Sequence, residues 1–215
     1  ATAFTVNCHV KVNGIPQYHP DGSPLVTSFV LKKDEVKMHS TWNSMGMIAT
    51  GSHAIEASKK LIPLNRSFVI APGQATLNQP VFRYPFLQLA ETTLAVNLSG
   101  MACRFLDLAS DLIEKKAKEH LRKKLQENRN VFDHVRSDFF THTDAAWGEL
   151  VSYTSIPEAR LQQVSLVSHQ LARSSRDLIN DLYSFCGLEA ADTRTEMNRV
   201  WRNFHTAAQH SLFSR

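Results

Sequence analysis

The sequence predicts an α+β fold, with a β-strand module over residues 1–84 followed by an antiparallel four-helix bundle over residues 85–215. Three observations predict it. Seven of the eight prolines and five of the eight glycines lie at or before Pro85, so chain-breaking residues are concentrated in the first part. The hydrophobic period changes from 2 to 3.6 near the same point. A chain of 215 residues that is 43% hydrophobic can bury a substantial core in one or two domains.

In the first part, Phe4, Val6, Cys8, Val10 and Val12 alternate with Thr5, Asn7, His9 and Lys11, the pattern of a half-buried strand. Residues 25–31 form a second strand. Asn13-Gly14 and Pro20-Asp21-Gly22 are turn formers, which predicts that the two strands pair as a long hairpin. Residues 36–39 and 55–61 are further strand candidates.

In the second part, Leu87, Leu94, Leu98, Met101, Phe105, Leu108 and Leu112 follow three-and-four spacing, giving a helix from near Pro85 to about Leu121. Phe132, Val135, Phe139, Ala146 and Leu150 mark a second helix that ends near Tyr153. Ser155-Ile156-Pro157-Glu158 has the form of a capping box, and Leu161, Val164, Ser168, Leu171, Leu178, Leu182 and Phe185 continue a third stripe that Gly187 stops. Thr193-Arg194-Thr195-Glu196 is a second capping-box sequence, and Met197, Val200, Trp201, Phe204, Ala208 and Leu212 form the stripe of the last helix. Long helices with short connections pack as an antiparallel bundle. Phe86, Val96, Leu106 and Phe140 add apolar surface beyond one seam, which predicts a homo-oligomer joined through the bundle.

Composition excludes several classes of function. The net charge is +4, all of it in residues 1–84, while residues 85–215 carry 16 basic and 16 acidic residues. Lys115, Lys116, Lys118, Arg122, Lys123 and Lys124 sit among Glu114, Glu119 and Glu127, a solvated helix end and not a nucleic-acid footprint. The most apolar window, about residues 87–113, is interrupted by Glu91, Arg104 and Asp107, so no membrane span is predicted. Residues 1–12 alternate and do not read as a signal peptide. Cys8, Cys103 and Cys186 are scattered and odd in number, which predicts buried free thiols in a reducing, cytoplasmic setting. His142 near Asp144 is too sparse a pairing for a metal site, so no metal is predicted. No Walker loop, GxGxxG, HExxH, GxSxG or Glu-x-x-His pair is present.

Two segments carry a resemblance. Thr41-Trp42-Asn43-Ser44-Met45-Gly46-Met47-Ile48-Ala49-Thr50-Gly51-Ser52-His53, followed by Pro63-Leu64-Asn65-Arg66, resembles the T-W-x-x-x-G-M-x-x-T-G-S stretch and later V-P-x-x-R turn in the middle β domain of acyl-CoA dehydrogenase-like flavoproteins. Val200-Trp201-Arg202-Asn203-Phe204-His205-Thr206-Ala207-Ala208-Gln209-His210 resembles the W-R-D-x-H-x-x-x-x-H ending of the second type of C-terminal domain in that superfamily. The resemblance makes residues 1–84 part of a middle β domain and implies that a helical domain and the first half of the β domain precede residue 1 in an intact protein. The chain departs from the family pattern at Ile48-Ala49, where Arg-Gly is common, at Ala54 and Asn203, where Asp is common, and at Cys186-Gly187-Leu188, where a glycine-rich turn is common.

The chemistry of these segments has two readings. Gly46 and Gly51 permit sharp turns that bring backbone amides and the Thr50 and Ser52 hydroxyls toward an anionic or heteroaromatic ligand, with Trp42 as an apolar wall. The alternative is a strand connection with a core tryptophan. At about 100° per residue, His210, Thr206, Asn203 and Arg199 share one polar face of the last helix. That face either meets water or, as the resemblance implies, faces a flavin pocket, with His210 as the catalytic imidazole and Trp42, Thr50, Gly51, Ser52, Arg199 and Asn203 at the cofactor.

The resemblance implies a flavin-dependent oxidoreductase that uses FAD, or alternatively FMN, and acts on an acyl-CoA or related small organic substrate. The dehydrogenase chemistry needs a carboxylate base, and the family's C-terminal tyrosine-glutamate-glycine segment is absent; neither Glu189 nor Glu196 matches it. A two-component flavin-dependent monooxygenase, served by a flavin reductase and using a histidine near the flavin, is the alternative that His210 fits better. A non-catalytic helical oligomerisation remnant is the third reading.

Overall fold

The computed structural model describes residues 1–115 and 119–213, which form two compact units. One comprises Ala1–Trp42 and Gly51–Asn78, and the other comprises Asn43–Thr50 and the chain from Gln79 onward. The short segment Asn43–Thr50 therefore belongs to the helical unit although it lies between strands of the other in sequence.

The strand unit is built on β1 (Ala3–His9). The chain continues through a small hairpin, β2 (Lys11–Val12) and β3 (Ile15–Pro16), turned at Asn13 and Gly14 with φ of 51° and 82°, the positive-φ pair that a two-residue hairpin turn requires. It returns as β4 (Val26–Lys32), antiparallel to β1 with Phe4 opposite Leu31 and Cys8 opposite Thr27, the long pairing expected from the alternation. The Ser28 hydroxyl donates to Asn7 Oδ1 across this pair at 2.7 Å. β5 (Lys37–His39) and β6 (Ala54–Glu56) pair separately, and β7 (Ser67–Phe68) adds to the free edge of β4, giving the order β1-β4-β7. Strand β6 is shorter than the 55–61 segment of the sequence reading, because Ser58 turns its hydroxyl to Glu56 and Lys59 takes φ 47°, outside strand geometry. Arg66 binds Glu35 through both carboxylate oxygens at 2.7 and 2.8 Å, tying the turn before β7 to the turn after β4.

The helical unit holds α1 (Phe86–Lys115), α2 (Glu119–Tyr153), α3 (Glu158–Cys186), the single turn α4 (Leu188–Ala191) and α5 (Glu196–Ala207). Helix α3 packs against both α1 and α2, and α5 lies on α1 as the fourth member of the bundle. The apolar stripes meet in one core containing Leu98, Ala102 and Phe105 of α1, Phe132 and Phe139 of α2, Leu171, Leu178 and Leu182 of α3, and Met197 and Phe204 of α5. Ser168 and Ser175, polar members of α3 in that core, return their hydroxyls to the carbonyls of Val164 and Leu171 at 2.7 Å each. The first described helix is followed to Lys115; Lys116 and Lys118 of the basic cluster, and the continuation of that helix toward Leu121, fall on or across residues 116–118, outside the described residues. Among the described residues, no helix is long and apolar enough to cross a membrane.

Helix ends differ from the capping-box reading. Helix α3 begins after Pro157, with no side-chain cap. Helix α5 is capped by Thr195, whose hydroxyl accepts the Asn198 amide at 3.1 Å, two residues later than a Thr193–Glu196 box would place the cap. Glu196 is consequently free to bind Arg104 through two bonds of 2.9 Å. Gly187, at φ 62°, stops α3 as expected. Helix α5 ends at Ala207, before the stripe reaches Leu212. Leu106 is 1% exposed and part of the core rather than surplus apolar surface, whereas Phe86 is 53% and Val96 40% exposed. Cys186 is buried as expected, Cys103 is half-buried, and Cys8 lies exposed on β1.

Candidate functional site

Within the helical unit, segment 43–50 lies directly on α5. A Cβ at Gly46 would stand 2.1 Å from the Arg202 carbonyl oxygen and 2.6 Å from the Asn203 nitrogen, so two backbones meet where no side chain fits. Gly46 thus serves close approach; the turn itself falls to Met47, at φ 52°. Asn203 Oδ1 accepts the Met47 amide at 2.7 Å, and the Arg202 guanidinium donates to the carbonyls of Met45 at 3.0 Å and Thr193 at 3.4 Å. The Ser44 hydroxyl donates to the Gly46 carbonyl. The Thr50 hydroxyl closes the turn on the Met47 carbonyl at 2.7 Å.

This joint leaves a cleft of about 510 Å³ lined by Met45, Met47, Ile48 and Thr50 on one side and Arg199, Arg202 and Asn203 on the other. Of the residues read from sequence, the structure therefore brings Thr50, Arg199 and Asn203 together. Arg202 was missed as a site residue, although it stood inside the quoted W-R-N motif. A larger groove of about 580 Å³ between α2 and α3, lined by Arg173, Asp138, Asp177 and Asp181 among others, contains none of them.

His210 is placed differently from the helical-face reading. Because α5 ends at Ala207, His210 sits in the following turn, exposed, with its amide on the Ala207 carbonyl and its Nδ1 accepting the Leu212 amide at 3.3 Å. It does not line the cleft. His205, still on α5, is half-buried, with its ring centroid 4.4 Å from that of Trp201 and 5.5 Å from that of Phe204. Burial, then the nearby Arg176, hold its pKa below the ordinary histidine value. Its Nε2 is buried without a hydrogen-bond partner among the described residues.

Trp42, Gly51 and Ser52 belong to the strand unit. There the Trp42 amide donates to His53 Nδ1 at 3.0 Å, Gly51 takes φ 54° and the Gly51 carbonyl accepts the His53 amide at 2.6 Å. The Thr41 hydroxyl accepts the Ala54 amide at 2.9 Å, which fixes the start of β6.

A second polar cluster escaped the sequence reading. Glu91 of α1 is 5% exposed and its carboxylate accepts the Ser165 hydroxyl at 2.6 Å and meets His169 Nε2 at 3.2 Å, both on α3. The signal was present, since Glu91 interrupts the apolar window, but an isolated acid in a helix does not reveal its partners on another. His142, considered for a metal, instead meets Asp138 at 3.4 Å and Arg160 at 3.4 Å.

The fold and these motifs define a class. A family model described as acyl-CoA dehydrogenase, C-terminal domain, matches residues 92–215, and the chain belongs to that family. It is 25% identical over 211 residues to the oxygenase subunit HsaA of a flavin-dependent monooxygenase from Rhodococcus jostii, covering 89% of this chain and 55% of that protein. The crystal structure of the HsaA monooxygenase from M. tuberculosis matches with a TM-score of 0.88 over all of this chain and 58% of its own, at 18% identity. XiaF from Streptomyces sp., solved in complex with FADH2 and glycerol, matches at 0.73 over 90% of this chain and 54% of its own, also at 18% identity. The two structures speak to the fold, and the chain spans about half the length of its HsaA relative. The family read from the two sequence motifs is the family found.

Proposed function

We propose that the chain is the β-module and helical-bundle part of the oxygenase component of a two-component flavin-dependent monooxygenase. The observation that carries this is the alignment of both units, over 211 residues, with an oxygenase subunit of that kind. The acyl-CoA dehydrogenase reading finds less support at the residues. Glu196 is held by Arg104 through two bonds of 2.9 Å, and Glu189 lies exposed on the single-turn α4, so neither carboxylate stands as a base over a substrate carbon. Domain limits of 1–84 and 85–215, assembly as a dimer or tetramer, and service by a flavin reductase belong to the same proposal, as does a small organic substrate.

The cleft on α5 fits a flavin, FAD or FMN, in its donor set: two guanidiniums with no lining carboxylate suit a phosphate, and Met45, Met47 and Ile48 give apolar walls. Arg199, Asn203 and Thr50 are the cofactor contacts proposed there; Trp42, Gly51 and Ser52, of the strand unit, are proposed as cofactor contacts on the family resemblance alone. Reduced flavin, when bound, supplies the electrons that activate dioxygen. The chain's own part is to bind, orient and move protons. His210 is the proton-transfer group proposed on the family resemblance: with Nδ1 accepting the Leu212 amide, the neutral ring carries its proton on Nε2 and can donate it.

The test uses the whole protein. Reduced FAD or FMN is added anaerobically, oxygen is admitted, and oxygen consumption and flavin absorbance are followed. Tight binding of the reduced flavin with oxygen consumption is expected. Bleaching of oxidised flavin by an acyl-CoA without oxygen would return the assignment to the dehydrogenase class.

A further inference from the structure

Beyond Ala207, where α5 ends, the chain carries His210 on a turn whose two ends, Ala208 and Phe213, are buried in the bundle core. Inside the turn the Leu212 amide donates to His210 Nδ1 at 3.3 Å, and the Phe213 amide donates to the His210 carbonyl at 2.9 Å. Two such bonds do not offset the entropy of ordering a turn that has left its helix, so the hold comes from outside it. Both outside anchors are on α3. Arg176 donates to the Ala208 carbonyl at 3.0 Å, closing the end of α5. The Phe213 ring meets the His169 ring edge to face, with 4.9 Å between centroids and 81° between planes. His169 is itself held, because its Nε2 lies 3.2 Å from Oε1 of the buried Glu91 on α1. The other Glu91 oxygen takes the Ser165 hydroxyl at 2.6 Å, and Gln88 donates to that hydroxyl at 3.1 Å. With its side chain 42% exposed, His169 stands at the margin of the core, and the carboxylate fixes the ring plane that Phe213 packs against.

We infer that Glu91 and His169 are positioning residues for His210, acting through the Phe213 ring that ends its turn. The inference rests on the reading of His210 as the proton-transfer group. An exposed imidazole on an unanchored turn samples many orientations, whereas proton transfer needs it within hydrogen-bond reach of the reacting atom. The contacts from Glu91 through His169 to Phe213 narrow that range. They run across three segments, α1, α3 and the turn after α5, so the packing of the bundle sets where the imidazole stands.

Amide hydrogen exchange and oxygen consumption with reduced FAD or FMN test it on the whole protein. The variants are His169→Leu, Phe213→Leu and Phe213→Tyr, with the first two also made in a His210→Ala background. In His169→Leu and Phe213→Leu the Leu212 and Phe213 amides are expected to exchange about tenfold faster, while the amides of Val200 and Phe204 within α5 keep their protection. In the same two variants kcat is expected to fall about tenfold with KM for the reduced flavin unchanged. Phe213→Tyr, which keeps the ring, restores both. In the His210→Ala background the two substitutions cause no further loss of turnover, because a residue that acts through another has no effect once that other is gone. Unchanged exchange of both amides in His169→Leu and Phe213→Leu overturns the inference. A loss of turnover as large in the His210→Ala background as in wild type overturns it too, since that is what a general loss of packing would give. If His210→Ala turns over like wild type while the two amides still lose protection, the positioning of His210 stands and its proton-transfer reading falls.

Discussion

Asn203 Oδ1 and the Met47 amide meet at 2.7 Å across 156 residues of sequence, joining the two motifs that carried the family resemblance into one structural joint. The bond does more than bridge the chain. Met47 holds φ 52°, a conformation that β-carbon-bearing residues adopt only when their surroundings fix it, and the Asn203 acceptor supplies that constraint together with the backbone contact at Gly46.

Asn203→Leu removes the acceptor, and the Met47 amide is expected to lose its protection in hydrogen exchange while α5 keeps its own. The cost in stability is about 0.5–1.5 kcal/mol, the net worth of one hydrogen bond. Asn203→Asp, whose carboxylate oxygen also accepts, restores the protection. Gly46→Ala attacks the same joint from the other side: the new methyl collides with the Arg202 carbonyl at 2.1 Å, and the loop must lift off at a cost of about 1–3 kcal/mol. Undiminished Met47 protection in both Asn203→Leu and Gly46→Ala would show that the joint does not hold the loop.

The carboxylate of Glu91 is buried between α1 and α3 and serves two donors on α3, Ser165 and His169. Glu91→Ala strands both and is expected to lower the urea midpoint by the equivalent of about 1–3 kcal/mol. Ser165→Ala, which removes one neutral donor and leaves His169, is expected to cost less. A double-mutant cycle in which the two changes simply add would mean that the pair is not coupled.

How far these features were legible in the sequence depends on whether they are local. The β1 alternation with the Asn13-Gly14 turn, and the three-and-four stripes of α1, α2 and α3, are set by neighbours a few residues apart, and they appear where the sequence placed them. The capping boxes misled because Thr193 and Thr195 both suit a cap; the choice fell to Thr195 while Glu196 turned to Arg104 on α1. His210 was placed on a helical face by extrapolating a period past Ala207, where the chain turns and Phe213 buries instead. The assignment of 43–50 to the helical unit depends on Gly46 meeting Arg202, a contact that no periodicity contains. For the cleft, Thr50 and Asn203 stood inside the resembling motifs and Arg199 came from the helical period, while the bond from the Met47 amide to Asn203 Oδ1 joins residues too far apart in sequence for either signal to contain.

Acid is expected to loosen the strand unit. The Arg66 guanidinium, and then the Lys32 amide, hold the Glu35 pKa down from 4.5 to about 2. A depressed carboxylate pKa contributes stability that is fully present above the unfolded value and is lost as pH falls through the folded one. The contribution of this pair should therefore fade between about pH 4.5 and pH 2. Glu35→Gln should flatten that part of the stability profile and leave neutral-pH behaviour of the helical unit unchanged. Both can be read from circular dichroism melts across the acid range, and an unaltered acid limb in Glu35→Gln would discount the pair.

The two histidines of the last segment separate catalysis from packing. His210 is exposed beyond α5, so His210→Ala should leave the melting temperature close to wild type. If His210 transfers the proton, turnover falls by about 10²-fold, the lower end of what a general acid or base contributes. His205 packs against the Trp201 ring and touches the Phe204 ring edge-on, so His205→Ala should cost about 1–3 kcal/mol through lost ring contacts. Its pKa is depressed, so the folded state prefers the neutral ring, and stability should decline as pH drops below the ordinary histidine value of 6.5 toward the lower folded one. His205→Phe, which keeps a ring but cannot be protonated, should remove that decline. Turnover in His210→Ala equal to wild type, at every pH where the wild type is active, would take the proton-transfer role away from His210 while leaving the joint between Met47 and Asn203 untouched.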